Sequence, residues 1–417
     1  MQRRKIPLKL IELSEALSLG ERSFSSTRFE EEISVELAMN RILAEELRFP
    51  RDFPSSDISF YDGFALRSED TFNASPSSPV ILRIVKEITS AGECVLIGGG
   101  SPVPQGADAV LRLEEATIDG DKLIVKKPIP KGEGIVRRGS DGRGGEIAIP
   151  SGRILRAQDL VLVMELGRSR LRVLRRPIIG IAAVGSDLIS RKAQGISYPD
   201  SYSFLPFFLL SSYGFEPHHI GIFPDDAEKL ANSISSLSSF YDAIILVGGA
   251  SVGEDDPCHD ALLKAGRIIF HGIKVSPGKV SGMGIVGGKP VFLVPAHIGS
   301  AMASLLLIVI PLLSSAFYGT KDPYLKLRAK LMRGVEGRPG VLTFRTARVE
   351  YRGEYVAEPI SKEYGGSLFL TSITRANGFF LIEPGRKLNE GEVIELKLFS
   401  PPEALSIPLM EKSKEEA

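Results

Sequence analysis

The sequence predicts a multidomain chain in which a parallel α/β domain lies between segments rich in β-structure. Two patterns predict this class. Residues 176–320 alternate buried strand-like runs with amphipathic segments, which is the rhythm of βαβ units with helices on both faces of a sheet. Short β-type runs broken by glycine and proline fill residues 51–135 and return after residue 322. A length of 417 residues is enough for about two to four domains.

Charge and cysteine content exclude several classes of protein. The chain has 51 basic and 51 acidic residues without a long block of either sign, which argues against a nucleic-acid-binding surface or an acidic tail. Cys94 and Cys258 are too far apart for metal-ligand spacing, and five histidines do not suggest a histidine-rich metal cluster. The basic N-terminus lacks the apolar core of a signal peptide, so we expect a protein of the reducing cytoplasm.

The first 50 residues and a later stretch at 157–167 have helical character. Apolar residues recur at helical spacing in RFEEEISVELAMNRILAEELRFP, which ends at residue 50, and in AQDLVLVMELG. We therefore predict helices in both places. Between them, runs such as VILRIVKEI and KLIVKKPI predict strands.

Within the α/β segment, strands and helices can be placed in order. Strands are predicted at PIIGIAAVGSD, HHIGIF, DAIILVGG and KPVFLVPA, and the helices between them at SFLPFFLLSSYG, DDAEKLANSISSLSSF and DPCHDALLKAG. Asp225 and Asp226 occupy positions typical of a helix N-cap, and Gly266 a position typical of a C-cap.

One apolar stretch has two interpretations. No charged residue occurs from Pro290 to Thr320, and this length would suffice to cross a membrane. Pro295, Pro311 and several small residues interrupt the run, and the sequence has no second comparable segment. We therefore favour a helix buried in a core or in a subunit interface.

Three loops follow strands of the predicted parallel sheet, at the edge where such sheets bind ligands: AVGSDLIS, VGGASVGEDD and VPAHIGSA. The second loop, residues 247–256, has glycines that permit close backbone approach to an anion and a serine hydroxyl that can donate. These candidates are Gly248, Gly249, Ser251 and Gly253. Its three acids would repel a bare phosphate unless a divalent cation bridges them. A flexible glycine-rich turn is the alternative interpretation.

Other loops carry charged residues whose role is open. Lys274 and Lys279 flank the Pro-Gly turn of KVSPGKV; they are either solvated or partners of a phosphate or oxyanion. Asp57 and Asp62 crowd the turn DISFYDG, which is either a solvated turn or a loop that presents acids to a ligand. Asp141 lies on the glycine-rich turn of RRGSDGRGG beside two arginines, where a salt-bridged surface turn is the simpler interpretation.

The motifs taken together resemble one family. DISFYDGFALR, GSPVPQGADAV, RRGSDGRGGE, VGGASVGEDD and PGK, in this order, are similar to motifs of the MoeA family, the molybdopterin molybdenumtransferases related to the E domain of gephyrin. The resemblance covers essentially the whole chain. It implies an elongated helical dimerisation module (1–50 and 136–175), a β-rich module (51–135), a MogA-like α/β domain that binds molybdopterin (176–322) and a C-terminal β-barrel (323–417). It also implies a homodimer in which the Asp62 loop reaches the partner subunit's site.

The same resemblance implies a reaction and its residues. Molybdate, or tungstate, would be inserted at the dithiolene of adenylylated molybdopterin with release of AMP, assisted by Mg²⁺ or another divalent cation. The catalytic residues carried over are Asp62, Asp141, Asp256 and Lys279, of which Asp62 and Asp256 would be metal ligands. The cofactor-binding residues carried over are Asp187, Gly248, Gly249, Ser251, Gly253, Lys274 and Ser367. Other cofactor-biosynthesis proteins are further candidate partners; neither nucleic acid nor a membrane is expected.

The chain departs from the MoeA pattern where the oxyanion would be received. The departures are Tyr202 in the DSN or DTN triplet, Ser276 and Val280 in KPGKP, Ala296, His297 and Ile298 in LPGNPVSA, and Thr346, with Arg345 adjacent, where an arginine is expected. A cation-poor pocket should bind a tetrahedral dianion weakly. Three hypotheses follow: an active transferase, a paralogue that binds molybdopterin but has lost metal transfer, and a scaffold for other cofactor enzymes.

Overall fold

The computed structural model describes residues 9–25, 28–249, 256–360 and 370–399. The chain forms two compact units: Phe29–Leu174, and a second unit made of Met1–Arg28 with Arg175–Ala417. Helix α1 (Leu13–Ser23) therefore belongs to the same unit as the α/β domain. The division into four modules stays a prediction.

The unit Phe29–Leu174 is built largely from short strands. Its elements are β1 (Glu30–Ser34), β2 (Leu47–Arg48), β3 (Ile58–Ser59), β4 (Gly63–Leu66), β5 (Val80–Ile84), β6 (Glu93–Ile97), β7 (Ala109–Arg112), β8 (Thr117–Asp119), β9 (Lys122–Val125), β10 (Ile135–Val136), β11 (Ile147–Ile149), α2 (Ala157–Glu165) and β12 (Arg170–Leu174). Six strands form a sheet in the order β7-β4-β6-β5-β9-β8 over a core that includes Phe64, Leu82 and Leu123. The prediction of a β-rich segment at 51–135 is confirmed.

The prediction of helices across residues 28–50 is wrong. This stretch begins with β1, which pairs antiparallel with β12. Glu30 and Glu32 form ion pairs with Arg172 and Arg170 at 3.3 and 3.2 Å across the two strands. A further residue, Asn40, has φ of 60°, which does not continue a right-handed helix. Partners that are distant in sequence thus outweigh the local helical spacing.

The α/β domain has the predicted alternation of strands and helices. Its elements are β13 (Ile178–Val184), α3 (Ser186–Ala193), α4 (Phe204–Ser212), β14 (Glu216–Phe223), α5 (Ala227–Leu237), β15 (Ala243–Val247), α6 (Pro257–Ala265), β16 (Arg267–His271), β17 (Val275–Ser276), β18 (Gly282–Val286), β19 (Lys289–Val294), α7 (Ile298–Ser304) and α8 (Ile310–Tyr318). The sheet order is β14-β13-β15-β19-β18-β16, in which the first four strands are parallel. The predicted parallel sheet is confirmed.

The long apolar stretch is a buried helix. A π-helical turn at Leu305–Val309 joins α7 and α8 into one helix of 21 residues. Its length and composition would allow a membrane span, but 83% of its most apolar window is buried inside the fold. Helix α1 packs on it so closely that a Cβ on Gly20 would lie 2.6 Å from Leu312 Cδ1. The interpretation as a core helix is confirmed.

The C-terminal segment forms a closed barrel. Its elements are β20 (Leu325–Leu331), β21 (Val335–Glu336), β22 (Leu342–Tyr351), β23 (Tyr355–Pro359), α9 (Thr371–Thr374), β24 (Gly378–Ile382), β25 (Lys387–Leu388) and β26 (Val393–Leu398). Five strands follow the order β22-β23-β20-β26-β24, and pairing of β24 with β22 closes the ring. The short strand β17 adds to β22 in parallel, so the loop after it lies beside the barrel.

Candidate functional site

The carboxyl ends of four parallel strands lie side by side in the α/β sheet. β13, β14, β15 and β19 end at Val184, Phe223, Val247 and Val294. A backbone hydrogen bond from Gly248 N to Val294 O, at 3.0 Å, ties two of the following loops together. The loops that the sequence predicts to bind a ligand therefore begin at one edge of the sheet, as expected.

Gly248 and Gly249 have structural reasons to be glycine. Their φ angles are 89° and 64°, in the region that L-residues rarely adopt. A Cβ on Gly248 would lie 2.6 Å from Val184 O, and one on Gly249 would lie 2.7 Å from Cys258 Sγ. A larger side chain at Gly249 would therefore perturb the packing as well as any ligand. The neighbouring candidates Ser251 and Gly253 lie outside the described residues.

Asp256 begins helix α6. It is 7% exposed, and its Oδ1 accepts a hydrogen bond from His259 N at 2.9 Å as the helix N-cap. Its Oδ2 lies 3.6 Å from Nε2 of His271. Burial lowers the pKa of His271 although this carboxylate opposes the shift, so the imidazole is neutral at neutral pH. Asp256 thus has a capping role that is independent of any ligand.

Acids in the loops after β13 and β14 also have backbone partners. Asp225 accepts from Ser186 N at 2.7 Å, and its own N–H donates to the hydroxyl of Ser186 at 3.0 Å. Asp226 is the N-cap of α5 and accepts from two backbone N–H groups at 3.1 Å. The N-cap predicted here is therefore Asp226, whereas Asp225 links two loops. Asp187 is exposed in the first turn of α3.

In the other compact unit, the structure joins the DISFYDG and RRGSDG loops. Asp57 accepts from Arg137 Nη1 at 2.7 Å and from Arg138 N at 2.8 Å, and Asp52 accepts from Arg138 Nε at 2.7 Å. The backbone hydrogen bond from Arg138, followed by that from the Arg137 side chain, lowers the pKa of Asp57. The pKa of Asp52 is lowered first by the backbone of Gly144. These acids hold the two loops together.

Asp62 and Asp141, which the family resemblance implies are catalytic, lie on these two loops. Both are exposed. The Oδ1 of Asp62 accepts from Gly99 N at 2.7 Å, and the backbone N–H of Asp141 donates to Phe53 O at 3.0 Å. The loop that opens with Asp57 therefore contains one acid that is tied to arginine and another, Asp62, that faces solvent.

The two lysines of KVSPGKV differ in environment. The ammonium group of Lys274 lies 2.6 Å from Glu12 Oε1, so it is already paired with an acid of the same unit. Lys279 is exposed on the turn that follows. At the centre of that turn, a Cβ on Gly278 would lie 3.4 Å from Ala303 Cβ, so the turn packs on the apolar helix. Both side chains reach solvent; Lys274 is paired with an acid, whereas Lys279 has no ion-pair partner among the described residues.

The turn at Ser276 is not poor in cations, contrary to the expectation from sequence. Arg338 Nη1 donates to the hydroxyl of Ser276 at 2.9 Å. The pKa of nearby Arg345 is lowered first by burial and then by the positive charge of Arg338. Sequence motifs point to Arg345 only as a neighbour of Thr346, and they do not point to Arg338, because the loop that holds Arg338 is 62 positions away from Ser276.

The other residues that depart from the MoeA sequence pattern lie in different environments. His297 is exposed just before α7, Ile298 is buried in the core, and Tyr202 is partly exposed. Ser203 and Asp200 lie 3.0 and 2.7 Å from His219, but both contact the same Nε2 atom. A hydrolase triad needs the two nitrogens of histidine to serve different partners, so this cluster is a buried polar contact. Ser367 lies outside the described residues.

Three family comparisons cover most of the chain. Residues 11–167 match the MoeA N-terminal region (domains I and II), residues 180–315 match a molybdopterin binding domain, and residues 328–399 match the MoeA C-terminal region (domain IV). A molybdopterin biosynthesis protein of Methanocaldococcus jannaschii is 30% identical over 381 residues, covering 88% of this chain and 92% of the relative. The chain belongs to the MoeA family.

Further relatives agree with this assignment. A molybdopterin molybdenumtransferase of Haemophilus influenzae is 27% identical and covers 89% of this chain and 94% of the relative. The crystal structure of a molybdopterin biosynthesis MoeA protein from Pyrococcus horikoshii superposes with a TM-score of 0.78 at 27% identity, covering 94% of this chain and all of that one. The family resemblance and the fold class drawn from the sequence motifs are confirmed.

Proposed function

We propose that this chain is a molybdopterin molybdenumtransferase that inserts molybdate, or tungstate, into adenylylated molybdopterin and releases AMP. Membership of the MoeA family carries the proposal, because relatives matched over most of their length are transferases of that name. The alternative of a paralogue without metal transfer is not favoured by these relatives. The cation beside Ser276 also removes one reason for doubting oxyanion binding.

The chain's own groups suit the two ends of this substrate. At the sheet edge, Gly248 and Gly249 begin the loop after β15 with φ of 89° and 64°, and this loop is proposed to receive the pyrophosphate. Asp256 lies at the start of the next helix. The family resemblance gives it the role of promoting cleavage of the bond to AMP. Lys279, exposed beside the barrel, would stabilise the negative charge of the incoming oxyanion.

The requirement for Mg²⁺ is part of the proposal. Among residues 9–25, 28–249, 256–360 and 370–399, no group of three or more His, Cys, Asp or Glu side chains could hold a metal ion. Mg²⁺ commonly binds through one or two carboxylates together with substrate phosphates, so a single acid beside the pyrophosphate can suffice. Asp256 is the proposed protein carboxylate. When bound, the ion would neutralise charge on the phosphates and activate the bond to AMP.

The reaction is tested by AMP release. Purified protein with adenylylated molybdopterin, Mg²⁺ and molybdate or tungstate should form AMP and the metallated pterin in equal amounts. Catalysed turnover that depends on both the divalent cation and the oxyanion supports the proposal. Binding of the adenylylated pterin without any AMP release would instead support the binding paralogue.

We also propose a cytoplasmic homodimer in which Asp62 of one subunit serves the site of the other. Subunit complementation tests this arrangement. Asp62→Asn and Asp256→Asn should each be inactive alone, whereas mixed dimers contain one site that has neither substitution and should regain activity. If mixing the unfolded and refolded variants restores nothing although each binds the pterin, both acids belong to the same subunit's site or the dimer does not form. Other cofactor-biosynthesis proteins remain candidate partners.

A further inference from the structure

The start of helix α6 and the end of strand β16 meet at two buried side chains. Gly266 joins the helix to the strand, and the chain folds back there, so that Asp256 and His271 come together. The His271 side chain is 7% exposed and that of Asp256 is 8% exposed. Nε2 of His271 lies 3.6 Å from Oδ2 of Asp256, which is too far for a hydrogen bond.

The imidazole ring of His271 is held by contacts with two neighbours. It stacks on the ring of His259, with the centroids 5.3 Å apart and 31° between the planes. It also packs on Gly282, its partner on β18, where a Cβ would lie 3.0 Å from His271 Cδ2. These contacts restrict the ring, so Nε2 stays directed at the carboxylate.

Nε2 of His271 is a buried acceptor. None of the residues that the structure describes forms a hydrogen bond with this atom. Burial has the largest influence on the pKa of His271 and lowers it, whereas a hydrogen bond with the Val280 backbone partly opposes this. A backbone carbonyl raises a histidine pKa by accepting from the ring, and because Nε2 has no partner, Nδ1–H is the donor. In the neutral ring, the lone pair is therefore on Nε2 and faces Asp256.

Two acceptors in this arrangement are suited to bind a cation. Buried acceptors that face each other lower stability unless a positive group lies between them. A metal ion at about 2.1 Å from each atom fits a separation of 3.6 Å, because nitrogen and oxygen ligands bind transition metals at about that distance. Histidines that bind metals also commonly donate their second ring N–H to a carbonyl, as His271 does to Val280.

We propose that Nε2 of His271 and Oδ2 of Asp256 together bind one divalent cation, and that the imidazole makes the site select transition metals from Mn²⁺ to Zn²⁺ over Mg²⁺. This inference rests on the proposed function, since it names a second ligand and a metal class for the cation beside the pyrophosphate. Imidazole suits transition metals, whereas Mg²⁺ favours oxygen ligands and would bind more weakly through Asp256 alone. Two protein ligands leave positions open for phosphate oxygens and water.

Metal binding by the full-length protein, without pterin or molybdate, tests the site. Calorimetry should show that Zn²⁺ binds more tightly than Mn²⁺, and Mn²⁺ more tightly than Mg²⁺. His271→Phe keeps an aromatic ring but no nitrogen, so it should weaken Mn²⁺ and Zn²⁺ binding by at least about 10-fold and change Mg²⁺ binding by less than about threefold. Equal losses for all three ions would overturn the proposal, because His271 would then only support the fold around Asp256.

His218→Phe is the matched control. This histidine belongs to the same domain and also lies near an acid, with its Nε2 3.3 Å from Glu216 Oε1, but both side chains are exposed. It should bind all three ions like the wild type. A loss of Mn²⁺ and Zn²⁺ binding in His218→Phe as large as that in His271→Phe would place the transition-metal site elsewhere and overturn the proposal.

Pulsed EPR of bound Mn²⁺ gives a readout that a merely structural role would not produce. A nitrogen nucleus coupled to Mn²⁺ should be observed in the wild type and in His218→Phe, and it should be lost in His271→Phe. His271→Gln is polar and of similar length, so it should lose the same signal and covers a case in which phenylalanine misfolds. Mn²⁺ bound to the wild type without nitrogen coupling would overturn the proposal.

The failure of this inference can be distinguished from failure of the proposed function, because metal binding is measured without substrate. Mn²⁺ coupled to the nitrogen of His271 in a protein that releases no AMP with any of the three ions would refute the transferase and leave the metal site standing. AMP release by a protein whose bound Mn²⁺ shows no nitrogen coupling would refute the metal site and leave the transferase standing.

Discussion

The acids at the edge of the parallel sheet and the arginines beside the barrel have opposite environments. Asp256 caps a helix, and Asp225 binds the backbone of the neighbouring loop. Arg345, by contrast, has a buried Nε for which the described residues provide no acceptor. A polar group whose hydrogen bonds are made within the fold stabilises it whether or not a ligand binds, whereas a buried unsatisfied one lowers stability until a ligand arrives. Residue type alone therefore does not identify a functional group; its partners must also be known.

Asp256 gives the largest expected effect, because it has both a cap and a proposed chemical role. Asn serves about as well as Asp as an N-cap, so Asp256→Asn should keep the free energy of unfolding within about 0.5 kcal/mol of wild type. If the carboxylate acts on the substrate, AMP release should fall by about 1,000-fold, or about 4 kcal/mol in the activation barrier. Single-turnover AMP formation and urea unfolding measure the two effects.

Asp226→Asn is the control for this experiment, because Asp226 caps α5 at the same edge of the sheet. It should change neither activity nor stability appreciably. Full activity in Asp256→Asn would mean that Asp256, like Asp225 and Asp226, has only a structural role.

Gly249 tests whether the sheet edge is as tightly packed as its hydrogen bonds indicate. Gly249→Ala puts a Cβ 2.7 Å from Cys258 Sγ and 2.8 Å from Val184 Cγ1 at φ of 64°. Overpacking and the left-handed backbone together should cost about 2–4 kcal/mol in the free energy of unfolding. Gly353→Ala is the matched control, since its φ is 80° and nothing lies within 4 Å of its Cβ position. Equal losses in the two variants would mean that backbone strain alone is responsible.

The sequence predicted the edge of the parallel sheet well because its signals are local. Buried runs, glycines after strands and acids at helix starts all lie within a few residues of one another, and the topology of parallel strands brings the loops together. The arginine pair could not be found in this way. Arg338 meets Ser276 because β17 joins β22, a pairing between segments that are distant in sequence. The misassigned helix at 28–50 has the same cause, because Arg170 and Arg172 supply its strand partners.

Tyr324 is buried and its hydroxyl is hydrogen-bonded within the fold, so removal of this hydroxyl should lower the free energy of unfolding by about the value of one hydrogen bond. Its hydroxyl donates to Leu306 O at 2.5 Å, within the π-helical turn of the apolar helix, and burial raises the pKa of Tyr324 well above its usual range. Tyr324→Phe leaves that carbonyl without a donor and should cost about 1–2 kcal/mol. Urea unfolding measures the loss. Tyr351→Phe, at an exposed ring in the barrel, should cost nothing detectable; a similar cost in both variants would contradict the argument.

Glu93 gives the smallest expected effect and a pH dependence of known sign. It accepts from Arg83 Nη2 at 2.6 Å and from the backbone N–H groups of Thr89 and Ser90 at 2.8 and 3.0 Å. The Arg83 hydrogen bond, followed by the Thr89 backbone, lowers the pKa of Glu93 from 4.5 to about 2. A carboxyl whose pKa is lower in the folded state stabilises the fold fully above its ordinary pKa. That stabilisation should be lost progressively as the pH falls from 4.5 to 2.

Amide hydrogen exchange in β5 and β6 can follow this loss locally, which suits a chain of several domains. Glu93→Gln should exchange faster than the wild type at pH 7, and the difference should shrink between pH 4.5 and pH 2 as the wild-type carboxyl is protonated. Glu114→Gln, at an exposed position of the same unit, should match the wild type throughout. AMP release should be unaffected by Glu93→Gln, since every partner of this acid belongs to its own turn and strands. A difference that persists unchanged at pH 2 would mean that glutamine perturbs packing, and the charge of Glu93 would then not be what holds this turn.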